Sequence, residues 1–112
     1  MTVALLGSPP PDQRTWLVHL LPTRADWPSA ITAAERDALG AHFRDLQAAV
    51  ASGTCVVAGP REDSSLGVAI FDGVDEATML AMLQADPMVA SGYFRAEVSA
   101  FRLSLERGRP TS

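Results

Sequence analysis

A chain of 112 residues with a formal net charge of −4 is long enough to enclose one hydrophobic core and too short for two ordinary domains. With 47% of residues hydrophobic and 20% charged, it has the balance of a globular chain, and no apolar run approaches the roughly 20 residues a helical membrane crossing needs. Its basic residues are scattered, so no basic face is available to neutralise phosphates, and neither nucleic acid nor a membrane is an expected partner.

Residues 1–14 form an N-terminal arm in which Pro9, Pro10 and Pro11 bar both helix and central strand. The arm has no basic leading segment and its apolar patch is too short for a secretory core, so the expected location is cytoplasmic. The single Cys55 agrees, because small exported domains usually pair their cysteines; it reads as a buried small hydrophobe. "TWLVHLLP", residues 15–22, puts Trp16, Val18 and Leu20 on one face and Leu17, His19 and Leu21 on the other, the pattern of a central strand buried on both sides.

A polar, proline-containing stretch follows. Thr32 and Glu35 fit a capping box, so a helix starts at about Ala33. Leu39, Phe43, Leu46 and Val50 recur along it as a single buried stripe, and Gly53 supplies the left-handed stop. "CVVAGP" reads as a second strand, "REDSS" as a turn with Ser64 and Ser65 in turn positions, and "LGVAIF" as a third strand. The acidic opening of "DGVDEATMLAMLQA" suits a second helix, with Leu80 and Leu83, near Ala77 and Ala81, facing inward. The fourth strand, "YFRAEVSAFRLSL", keeps Phe94, Ala96, Val98 and Ala100 on one side before the apolar phase passes to Phe101, Leu103 and Leu105. That change predicts a bulge or bend near Ala100. Residues 106–112 read as a polar, frayed tail.

This order of elements over residues 15–105 predicts an α+β domain of the ferredoxin-like βαββαβ kind, an antiparallel sheet with both helices on one face. Two helices cover one face only, yet the first and third strands are apolar on both. The open face is therefore expected to bury itself against a second copy, making a homodimer packed sheet to sheet.

Several residues are candidates for a small-molecule site. On a helical projection His42 lies about 60° from Leu39, at the border of the stripe, with Ala38 and Ala49 on its flank. It reads either as a boundary histidine or as a proton-transfer group, since an imidazole titrates near neutrality. Asp86 followed by Pro87 is a good start for a short helical turn ended by Gly92, which explains the carboxylate as a cap. A carboxylate has acceptor sites enough to orient a histidine as well. His19 is a satisfied core or interface imidazole, or a pocket wall. Arg24 and Trp27 are solvated loop residues or a lid with a cationic tip over an aromatic or carboxylate substrate, and Tyr93 is a core ring or a pocket edge. No third histidine or paired cysteine falls at ligand spacing and no glycine-rich phosphate cradle is present, so neither a metal nor a cofactor is expected.

The sequence resembles the YCII-related (YciI-like) family of small bacterial proteins. The resemblance rests on His42 in the first helix, the run from Gly53 to Gly59-Pro60, Asp86-Pro87 after a helix, Gly92, and the closing Val98 to Phe101, in that order over residues 15–105. Met88 stands where the family has an aromatic residue after Asp-Pro, and the segment carrying Trp27 is long; both alter the shape of a pocket. The resemblance implies a dimeric α+β barrel of ferredoxin-like subunits with a His–Asp pair at a pocket in each. One relative is a dehydrochlorinase acting on a chlorinated hydroxyquinol, and the fold resembles muconolactone isomerase, which implies lyase or isomerase chemistry. The leading expectation is a cofactor-independent enzyme in which His42 moves a proton on a small cyclic or aromatic metabolite while Asp86 holds its tautomer. The alternatives are a non-catalytic ligand-binding or accessory module and, further off, a cofactor-free oxygenase.

Overall fold

In the computed structural model, which describes residues 2–108, the longest element is the helix α1, Ala33–Ser52. Both of its ends are written in side-chain chemistry. Thr32 Oγ1 accepts from the Glu35 amide at 3.1 Å while Glu35 Oε1 accepts from the Thr32 amide at 2.9 Å, closing the capping box. At the other end Gly53 takes φ +85°, which a side chain disfavours. The remaining elements are the strands β1 (Val3–Leu5), β2 (Thr15–Pro22), β3 (Cys55–Pro60), β4 (Gly67–Asp72) and β5 (Phe94–Ala100), with helices α2 (Glu76–Ala85) and α3 (Pro87–Ala90).

The strands make one open, mixed sheet in the order β1-β5-β2-β4-β3. β2 runs antiparallel to both β4 and β5, and β3 antiparallel to β4. Register places Val18 opposite both Ala69 and Val98, so Trp16, Val18, Leu20, Ala69, Phe71, Ala96 and Val98 share the face covered by the helices and form the core with Met79, Leu83, Met88 and Val89. Trp16 is fully buried, and its indole N–H donates to the Val74 carbonyl at 2.9 Å, so the ring enters the core without an orphaned donor. The alternate positions, including Leu17, His19, Leu21, Val68 and Ile70, lie on the opposite face and are half-buried.

Four features differ from the sequence reading. Within the expected arm, Val3–Leu5 pairs in parallel with β5, Val3 opposite Ala96, and makes the otherwise antiparallel sheet mixed. A three-residue edge strand is too short to show a period, and the proline run follows it rather than replacing it. Gln13 then ties the arm down, its amide donating to the carbonyls of Thr15 and Phe101. The register irregularity falls in β3 between Cys55 and Val57; near Ala100 the strand simply ends, so the phase change there marks a boundary. In α2 the buried residues are Met79 and Leu83, while Ala77 and Ala81 are exposed. In α1 half of the expected stripe is turned outward: Leu39 and Leu46 pack against the core, but Phe43 is 60% exposed and Val50 49%, and the most buried side chains are Glu35 and His42. Both are polar groups drawn inward by specific partners, and the small residues Ala38 and Ala49 beside them let the helix turn that flank to the core. Of the expected tail, residues 109–112 lie outside the described residues, as does Met1 of the arm.

Candidate functional site

The junction between α2 and α3 explains why a carboxylate stands at a helix end. Asp86 closes α2, its amide donating to the Leu83 carbonyl, and opens α3, its Oδ2 accepting from the amides of Met88 at 3.0 Å and Val89 at 3.3 Å. Pro87 at the first helical position fixes the entry, and Met88 and Val89 anchor the turn in the core. With Oδ2 committed to the cap, Oδ1 is left to reach α1, where it meets His42 Nδ1 at 2.6 Å across 44 residues of sequence. Side-chain exposure is only 10% for His42 and 11% for Asp86, so water competes little for this bond.

An ionised carboxylate only accepts, so Nδ1 carries the hydrogen and a neutral ring keeps its lone pair on Nε2. Nε2 makes no hydrogen bond to another of the described residues. His42 lies in the wall of two cavities. A smaller one of about 270 Å³ extends between α1, α2 and the sheet, against Phe71, Met82 and Leu83. A larger groove of about 950 Å³ runs along α1 to β3 and the start of β4, within the size range of small-molecule sites.

Aromatic rings continue from the pair. Phe94 packs edge-on against His42 at 5.9 Å between centroids and edge-on against Trp27 at 5.4 Å. Trp27, followed by a cis peptide to Pro28, lies under the Arg24 guanidinium, 5.2 Å from its ring centroid. Arg24 in turn grips Glu35 with two donors, Nε to Oε2 at 3.0 Å and Nη2 to Oε1 at 3.2 Å, and reaches Asp26 at 2.8 Å. The hydrogen bonds from Arg24 hold the carboxyls of Glu35 and Asp26 below the usual carboxylate range and raise the guanidinium further. Arg24 therefore straps the Trp27 loop to α1; its charge is already engaged.

The structure thus brings His42, Asp86 and Trp27 to one region, with Arg24 stacked on Trp27, and leaves His19 and Tyr93 apart. His19 projects from the opposite face of the sheet, between Val68 and Glu97. Tyr93 is half-buried where its backbone carbonyl accepts from Thr23, and neither Tyr93, Arg24 nor His19 is in the wall of either cavity. Cys55 is buried, and burial pushes its thiol up, as expected of a small core hydrophobe. Among the described residues no three His, Cys, Asp or Glu side chains cluster as metal ligands do, and no helix is long and apolar enough to cross a membrane. Sequence reasoning missed Phe94, Phe43 and Arg36 as groove residues. Gly40 in the middle of a helix was the available signal, since it marks a helix side where bulk is absent.

No model of a known protein family matches this chain, and neither does any curated protein.

Proposed function

We propose that this protein is a small cofactor-independent enzyme in which His42 moves a proton on a small cyclic or aromatic metabolite, by elimination or isomerisation. The observation that carries the proposal is the Asp86–His42 bond of 2.6 Å, which leaves Nε2 as a free base beside a groove walled by aromatic rings. Nε2 takes a proton from an acidic carbon, and Asp86 stabilises the imidazolium that forms. In an isomerisation the proton returns at another carbon of the delocalised anion; in an elimination a leaving group departs with its electron pair as the double bond forms. Asp86 keeps its charge throughout and is best described as a positioning residue.

The ferredoxin-like reading of the fold is supported by the order β5-β2-β4-β3 with both longer helices on one face, and membership of the YCII-related family by the motif order given above. A homodimer packed through the open face is supported by Leu17, Leu21, Val68 and Ile70, a half-buried apolar set, with Val57 53% exposed beside them. The test is a survey of small aromatic and lactone compounds in deuterated water, read by mass spectrometry for exchange or loss of a leaving group. His42→Ala ends any turnover found while circular dichroism stays unchanged. Turnover that survives His42→Ala refutes the assignment, and binding without turnover by the wild type favours an accessory module.

A further inference from the structure

The outward side of α1 carries an arrangement that the core does not use. Gly40 lies midway along a 20-residue helix, a position where glycine weakens a helix relative to alanine. No packing demands it: a Cβ built there would meet only Arg44 Nη1, the far end of a flexible side chain, at 3.4 Å. Gly40 lines the groove together with Phe43 from the same helix and Trp27 and Phe94 from other elements. Among the described residues no Asp or Glu lies in the groove wall, and apart from His42 its one ionisable side chain is Arg36. Unlike Arg24, Arg36 forms no ion pair with another of the described residues. Arg36 and His42 are six residues apart on one helix, about 9 Å along its axis and about 120° around it, and both line the groove.

We infer that the groove takes an anionic ligand with a flat apolar body, the body lying along Gly40 against Phe43, Trp27 and Phe94 and the anion meeting Arg36. This names the substrate class for the proton-transfer site proposed above and rests on that reading for His42's role in the chemistry, but its binding prediction does not. On an acidic protein, one unpaired guanidinium at the end of an apolar groove selects for a carboxylate or another monoanion over a neutral ring.

The test uses two fluorescent probes with the same aromatic body, anilinonaphthalene sulfonate and its uncharged parent N-phenylnaphthylamine, titrated against the full chain. Arg36→Gln lowers affinity for the sulfonate about three- to five-fold, the range of an exposed charge pair, and leaves the neutral probe unchanged. Gly40→Leu fills the groove and weakens both probes at least ten-fold while helicity is retained or rises. His42→Ala preserves both of these effects even where it ends turnover, so loss of the catalytic reading and loss of this one are told apart. Sulfonate binding that ignores Arg36→Gln overturns the proposal, as does probe binding that ignores Gly40→Leu. Binding that appears only on dilution to monomer also overturns it, because a second copy then occupies the groove.

Discussion

Replacing Asp86 by Asn keeps the side chain's shape and removes its charge, which separates the two jobs the residue performs. Asn caps helices about as well as Asp, so the bonds from the Met88 and Val89 amides to the side chain survive. What changes is the partner of His42. An ionised acceptor contributes about 1.5–3 kcal/mol and a neutral one about 0.5–1.5 kcal/mol, so Asp86→Asn costs on the order of 1 kcal/mol. The Asn amide donates where the carboxylate accepted, which drives the ring hydrogen to Nε2 and removes the free base. Asp86→Ala costs more: about 1 kcal/mol for the cap, and about 1–3 kcal/mol for leaving the 10%-exposed imidazole without its partner. Urea unfolding at constant m reads both values, and a double-mutant cycle with His42→Ala isolates the pairwise part. A residue that only caps would give a neutral Asp86→Asn, about 1 kcal/mol for Asp86→Ala and no coupling to His42. That result would refute the dual role.

Glu35 provides a test by pH. Its carboxyl is held below its ordinary value chiefly by the Arg24 hydrogen bond, so it binds fewer protons folded than unfolded; its stabilisation is present above the unfolded pKa and lost as pH falls through the lowered folded value. Thermal melts of wild type and Glu35→Gln therefore differ at neutral pH and converge in acid, and a constant difference would mean the strap is not ionic. Met88→Ala, at a fully buried position in the turn that Asp86 caps, costs about 2–5 kcal/mol by urea unfolding; a loss under 1 kcal/mol would mean the turn is loosely packed. Ile70→Asp puts a charge among Leu17, Val57 and Val68 on the open face, and sedimentation should show the proposed dimer dissociating; an unchanged mass would remove that face as the interface.

Local signals carried much of this fold. Thr32 with Glu35, Gly53 and Asp86-Pro87 each specify a helix boundary through a hydrogen bond or a φ value within a few residues, and all three stand where the sequence puts them. Periodicity was less informative about α1. The spacing of Leu39, Phe43, Leu46 and Val50 says that one side of the helix is apolar, and an apolar side can face a groove as readily as a core. Which side turned inward was decided by Arg24 and Asp86, partners 11 and 44 residues away from Glu35 and His42. The same limit hid β1, whose three residues gain their place only by pairing with β5 at the far end of the chain. The Asp86 cap could be read from sequence; that its second oxygen meets an imidazole follows only once α3 packs against α1.

NMR of the histidine ring nitrogens, recorded at alkaline pH, tests the central claim most directly. The account predicts a neutral ring with hydrogen on Nδ1 and a bare Nε2, reversed by Asp86→Asn. A ring protonated on Nε2 in the wild type, or a tautomer indifferent to Asp86→Asn, would contradict it.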